Sequence, residues 1–214
     1  MEIKKKEFEW ARPLVPLKQS DITALALHHM EHMTAGMDEV HRWHLDRGWK
    51  GFAYNYFIDY EGNIWECRGL NRGGALEDPH NDYALSIGFQ GDFDIITKIS
   101  RKQYIAGVEL IRHLKKLLPN IKLVAGHRHW QNKTCPGINF PLEEMIRLAE
   151  QLEKMKDYEE IATWAKDAVI NVIESGIMIG NDEGYFKPRD YITRQEVAVV
   201  VDRLMNLVLS TLEK

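Results

Sequence analysis

The sequence is short of cysteine, of net charge and of long apolar runs, and each shortage removes a class of protein. Two cysteines in 214 residues, Cys67 and Cys135, cannot build a disulfide framework, so a small bridged scaffold is excluded. No stretch approaches the roughly 20 consecutive apolar residues that cross a bilayer as a helix. The basic start, Met1 to Lys6, is followed by no apolar segment. A secretory signal peptide is therefore not expected, and synthesis in the cytoplasm is. A net charge of −4 is too small to point to nucleic acid as a partner.

What remains is enough for a packed protein, with 44% hydrophobic and 28% charged residues. The length allows one domain of ordinary size and a small second one. Charge is unevenly placed: residues 157–214 carry 11 acidic and 6 basic side chains, a net −5, which leaves +1 for residues 1–156. An acidic tail on a near-neutral body predicts two modules, 1–156 and 157–214.

Periodicity gives the elements. Ile22 to Leu27 reads as a short buried strand running into His28-His29. Thr34 is placed to cap a helix carrying Met37, Val40, His41 and His44 as far as Gly48. Tyr54 to Ile58 and Ile64-Trp65 read as two strands around the turn Glu61-Gly62-Asn63. After a long irregular loop over 69–84, Ser86 to Gln90 is another strand. Ser100-Arg101-Lys102-Gln103 is a capping box for a helix that ends at Pro119. Ile121 to Ala125 is a further strand, and Pro141 opens a helix bearing Leu142, Met145, Ile146 and Leu152. Strands alternating with helices predict an α/β class with a helix-flanked sheet. From residue 157 the pattern becomes a helical hairpin. Ile161, Trp164, Ala165, Val169 and Val172 fall on one helical face, and a second capping box, Thr193 to Glu196, leads into Val197, Val200, Val201 and Leu204.

Chemistry gathers where strands end, the usual place for a site in an α/β sheet. His28 ends the first strand, His127 ends the last, and Cys135 follows in the next loop. Two imidazoles and a thiolate supply three tetrahedral zinc positions and leave the fourth for water, as in a catalytic rather than a structural site. From spacing alone a loop histidine and an inert buried thiol account for the same residues equally well. His29, His32, His41 and His44 compete with His28 and are better read as solvated or core-edge histidines. His29-Met30-Glu31-His32 lacks the spacing of the His-Glu-x-x-His signature. A blue-copper site would need an axial methionine close after Cys135, and none stands nearby.

Several motifs in order narrow this further: Leu25-Ala26-Leu27-His28-His29, Arg42-Trp43-His44 with Gly48-Trp49, Ala53 to Ile58 with Gly62, Ser86-Ile87-Gly88, and Gly126-His127 ahead of Cys135-Pro136. Together, over roughly residues 20–150, they resemble the zinc amidases of the peptidoglycan-recognition-protein and phage-lysozyme family. The resemblance implies a mixed β-sheet flanked by helices, one zinc ion, and hydrolysis of the amide joining N-acetylmuramic acid to L-alanine in bacterial peptidoglycan. It implies His28, His127 and Cys135 as zinc ligands, Tyr54 as the active-site tyrosine and Lys133 as the lysine of the phage enzymes. Without it, Tyr54 is a strand aromatic and Lys133 a surface lysine. Gly73 to Asn81 is only a loose counterpart of the family's groove-lining run, with His80 and Asn81 as its substrate-binding positions.

Trp164-Ala165, Gly176-Ile177, Gly184-Tyr185-Phe186 and Ile192 to Glu196 resemble a surface-layer-homology repeat over about 157–205. That implies binding to an anionic wall polymer, although such repeats usually come in threes and one stands here. A single hairpin cannot bury two apolar faces alone, so a homodimer through residues 157–214 is expected, with docking onto residues 1–156 as the alternative. Three roles are compatible with these motifs: a phage or prophage endolysin, a cytosolic muropeptide-recycling amidase, and a non-catalytic muropeptide binder. The complete set of His28, His127 and Cys135 favours the enzymes over the binder.

Overall fold

The computed structural model describes residues 1–212. Two compact units emerge, Met1–Ala149 and the residues from Glu150 onward, and the division falls inside a helix. Among the described residues, no helix is long and apolar enough to cross a membrane.

The first unit is built on a six-stranded mixed sheet. Its strands are β1 (Ile3–Lys5), β2 (Ala24–His29), β3 (Tyr56–Ile58), β4 (Ile64–Glu66), β5 (Ala84–Phe89) and β6 (Leu123–Gly126), in the spatial order β1-β4-β3-β5-β2-β6. Of these pairs, only β3 and β4 run antiparallel; the others are parallel. All six residues of β2 and all six of β5 are buried. This is why their apolar residues run together rather than alternate: both faces of a parallel strand are covered. The β3–β4 hairpin turns on Asp59, whose Oδ1 accepts the backbone N–H groups of Glu61 and Asn63 at 3.0 and 2.9 Å. The strand β1 departs from the sequence reading. Ile3–Lys5 pairs in parallel with β4 although two lysines follow the isoleucine, so the partner strand rather than local pattern makes it a strand.

Three helices complete this unit: α1 (Met37–Asp46), α2 (Arg101–Leu117) and α3 (Leu142–Lys154). Thr34 does not cap α1; Gly36 occupies that position without a side-chain bond. The hydrogen bonds show why. His32 Nδ1 accepts the N–H groups of Thr34 and Ala35 at 3.2 and 3.0 Å, so an imidazole organises the turn that the threonine was expected to organise. At α2 half of the capping box forms. Ser100 Oγ accepts the Gln103 N–H, but the Gln103 amide turns inward and donates to the carbonyls of Ile58 and Gln90. A β carbon on Gly107 would lie 2.7 Å from Met145 Sδ and 2.9 Å from Phe89 Cζ. The glycine thus lets α2 approach α3 and β5 closely, and Phe89, Val108, Leu110, Ile111 and Met145 form the buried core there.

The second unit holds α4 (Lys166–Glu174) and α5 (Arg194–Leu212). Its capping box is complete: Glu196 N–H donates to Thr193 Oγ1 and Thr193 N–H to Glu196 Oε2. Buried Asp157 accepts the N–H groups of Phe186 and Lys187 at 2.9 and 2.6 Å and fixes the loop before α5. The helical face expected from Ile161 to Val172 is corrected. Residues 163–165 form a 3-10 turn ahead of α4, Trp164 is 89% exposed, and the buried side chains are Ile161, Ile170 and Ile173. Changing from three to 3.6 residues per turn rotates the face, so a single helical wheel misplaces residues on either side of the join.

Candidate metal centre

Parallel pairing of β2 with β6 brings the site together. Leu27 lies opposite Gly126, the last pair between β2 and β6, so the next residues, His28 (still paired with Gly88 of β5) and His127, stand side by side at the sheet's carboxyl end. Their Nδ1 atoms are 3.1 Å apart, and Cys135 Sγ is 3.8 Å from His28 Nδ1. All three side chains are buried. The loop that returns Cys135 is pinned from two sides. Asp94 accepts from Thr134 Oγ1 at 2.6 Å and from the Ile138 N–H at 2.8 Å, and the Arg128 N–H donates to the Cys135 carbonyl at 2.9 Å.

The imidazoles stay neutral, the form in which histidine ligates a metal. Burial, then the neighbouring His127, His29 and Lys133, hold the His28 imidazole well below its ordinary value. Burial also lowers His127 and pushes the Cys135 thiol up to about 12. His127 Nε2 meets the side-chain oxygen of Gln131; with the hydrogen on Nε2, this contact leaves the Nδ1 lone pair facing His28. Tetrahedral zinc, with bonds of about 2.0–2.1 Å to nitrogen and 2.3 Å to sulfur, separates two nitrogens by about 3.3 Å and nitrogen from sulfur by about 3.6 Å. The observed 3.1 and 3.8 Å fit that donor set. His28 Nε2 is buried without a hydrogen-bond partner.

Tyr54 closes one side. Its ring centroid is 5.5 Å from that of His28, and its hydroxyl donates to the His29 carbonyl at 3.3 Å. A β carbon on Gly88 would come within 2.7 Å of the Tyr54 ring, so the glycine of Ser86-Ile87-Gly88 makes room for it. Burial, followed by the neighbouring Cys135, drives the phenol well above its ordinary value, so it stays protonated. Lys133 is exposed on the Cys135 loop, and its charge is felt at His28, His127 and Cys135. His80 and Asn81 lie on a separate loop. His80 Nδ1 is 2.6 Å from the Tyr83 hydroxyl, and the Asn81 amide closes the loop onto the backbone of Leu76.

The remaining histidines have other work. His41 bonds the Glu9 carbonyl and the Phe52 N–H. His44 is buried, and burial followed by Arg47 and Arg68 lowers it to about 4. The sequence reading passed over three groups that shape the site: Gln131, four residues after His127 and so within a turn's reach; Asn55, which ties Gly69, Asn71 and Ser86 together; and Arg68, whose buried guanidinium donates to the carbonyls of Gly51, Phe52, Arg72 and Gly73.

Residues 18–138 match the N-acetylmuramoyl-L-alanine amidase family, more than half of the chain. The chain belongs to that family. Residues 154–198 of this amidase-family chain match the S-layer homology domain. Among curated relatives, peptidoglycan-recognition protein SC1a of Drosophila melanogaster is 30% identical over 106 residues, 48% of this chain and 57% of that protein. The chain thus spans little more than half the length of such relatives. Among solved structures, N-acetylmuramoyl-L-alanine amidase LysC from Clostridium intestinale URNW superposes with a TM-score of 0.63 at 25% identity, covering 69% of this chain and 96% of that one. The endolysin N-acetylmuramoyl-L-alanine amidase LysCS from the same organism gives the same TM-score of 0.63 at 25% identity, covering 68% of this chain and 93% of that one.

Proposed function

We propose that this amidase-family chain is a zinc-dependent hydrolase of the amide between N-acetylmuramic acid and L-alanine in bacterial peptidoglycan. The observation that carries the reading is the convergence of His28 Nδ1, His127 Nδ1 and Cys135 Sγ in one buried pocket at the sheet's carboxyl end. These three residues would hold the zinc ion. When bound, zinc supplies a water nucleophile near neutral pH and polarises the amide carbonyl.

The chain's own groups do the rest. Tyr54, kept protonated, offers a phenolic O–H to the oxygen on which charge develops. Lys133 brings a positive charge to the same side, where it favours the developing oxyanion. Gln131 fixes the tautomer and orientation of His127. The loop closed by Asn81 presents His80 to the peptide. A muropeptide binder without catalysis would have no need of the complete donor set.

The similarity to LysC and to the endolysin LysCS supports a role at the cell wall, as a phage or prophage endolysin. The S-layer homology match supports attachment to a wall polymer through residues 157–205. Val197, Val201, Leu204, Met205, Val208 and Leu212 of α5 are exposed, which supports a homodimer formed through residues 157–214. The activity test is digestion of purified walls with and without chelator. New L-alanine amino termini without new reducing sugars, abolished by chelator and restored by zinc, are expected. New reducing sugars, or chelator-insensitive cleavage, would overturn the reading.

A further inference from the structure

The proposed amide hydrolysis needs an acceptor for a proton of the attacking water. Tyr54 stays protonated and its hydroxyl faces the His29 carbonyl; Lys133 as an ammonium has no lone pair. Neither can begin the reaction as a base.

Glu31 can. It follows β2 by two residues, and its backbone turns into the left-handed region with φ +56°, uncommon for a residue other than glycine. The chain is held in that turn on the far side by the bridge between His32 and Gly91. A Glu31 carboxylate oxygen, a ring nitrogen of His29 and Cys135 Sγ lie within 4.8 Å of one another. The Glu31 side chain remains 62% exposed, at the mouth of the pocket. Its charge is felt at His29, His127, Cys135 and Tyr54.

His29 stands beside the carboxylate. This histidine is 2% exposed, and its Nδ1 accepts the Phe93 N–H at 3.0 Å, so in the neutral ring the hydrogen sits on Nε2. Nε2 is buried with no hydrogen-bond partner and stands 3.6 Å from Glu31 Oε1. The other nearby carboxylates are engaged. Asp94 holds Thr134 and Ile138, and Asp92 accepts the Asp94 N–H.

We propose that Glu31 is the general base of this site, with the Nε2 of His29 facing its carboxylate across 3.6 Å. The inference rests on the amidase reading. As the water oxygen bonds to the lactyl carbonyl carbon, one of its protons passes to the Glu31 carboxylate. When the C–N bond breaks, that proton goes to the alanine nitrogen, and Glu31 returns as a carboxylate.

The test is E31Q in the full chain, read in four ways: turnover of a muramyl peptide, zinc per chain, affinity of the zinc-free protein for the same peptide, and melting temperature. Turnover should fall by about 10²–10⁴-fold, with the other three readings unchanged. E31G, which suits the left-handed backbone, should melt no lower than wild type and be as slow as E31Q, which separates chemistry from folding. Turnover of E31Q within threefold of wild type, or loss of zinc from E31Q, overturns the proposal. Wild-type protein that holds zinc and releases no L-alanine amino termini refutes the amidase reading, and the inference falls with it. An active wild type with an equally active E31Q refutes the inference alone.

Discussion

Replacing Gln131 by Leu removes the one acceptor that meets His127 Nε2 while keeping a side chain of similar size. The imidazole then loses the partner that holds its hydrogen on Nε2, and part of its neutral population can carry it on Nδ1, the atom that faces His28. Loss of an outer partner of a ligating histidine typically weakens metal affinity by about 10–100-fold, or roughly 1.4–2.7 kcal/mol. The loss comes from the orientation and basicity that the outer partner gave the ring. The assay is competition for zinc with a chromophoric chelator, alongside wall lysis as a function of free zinc. The expected result is a weaker zinc constant with lysis recovering at saturating zinc. Unchanged affinity would refute the claim that Gln131 orients His127, and loss of lysis at saturating zinc would assign it a different role.

Cys135→Ser should bind less than one zinc per chain and lose nearly all lytic activity, whereas His29→Ala should still bind one zinc; metal analysis of both variants checks the ligand set. Tyr54→Phe and Lys133→Ala should each lower turnover by about 10²–10⁴-fold with zinc retained, and wild-type rates in both would refute their roles. His44 titrates near 4 when folded and near 6.5 when unfolded, so the unfolded chain binds the extra proton between those values. Its contribution to stability is present above pH 6.5 and is lost as pH falls toward 4, by about 2–3 kcal/mol. Denaturant midpoints of wild type and His44→Gln between pH 7 and 4.5 should diverge in slope. Sedimentation should show a dimer for the full chain and a monomer for residues 1–156; a full chain that stays monomeric at high micromolar concentration refutes the pairing.

The parts of the fold legible in sequence are those where local pattern and tertiary role agree. Ala24 to Leu27 is apolar without interruption because both faces of β2 are covered. Thr193 and Glu196 form their reciprocal cap from positions three residues apart in the sequence, where local geometry suffices. The misses share a physical origin, a distant partner overriding a local preference. Ile3–Lys5 is a strand because β4 is beside it, and Gln103 leaves its cap because two buried carbonyls need a donor. Asn55 and Arg68 satisfy loop carbonyls up to 17 residues away, a task that no local pattern encodes. In the site, His28, His127 and Cys135 were readable from strand ends and motif order. Glu31 and Gln131 were not, since their positions depend on a left-handed turn and on a 3-10 turn.

The sheet order carries a consequence for the life of the protein without metal. Strand β6 is an outer strand, paired with β2 through four residues, and His127, one of the proposed ligands, follows its end. His28 and His127 are 99 residues apart in the chain, so an ion shared between them would act as a rivet on the sheet's margin. Zinc at 100 times its dissociation constant would add about 2.7 kcal/mol to the closed state. Stripped of metal, the stretch from β6 to Cys135 should open first, showing fast amide exchange and early protease nicking while β5 remains protected. A metal-poor surrounding would then govern how long the protein survives as well as how fast it works.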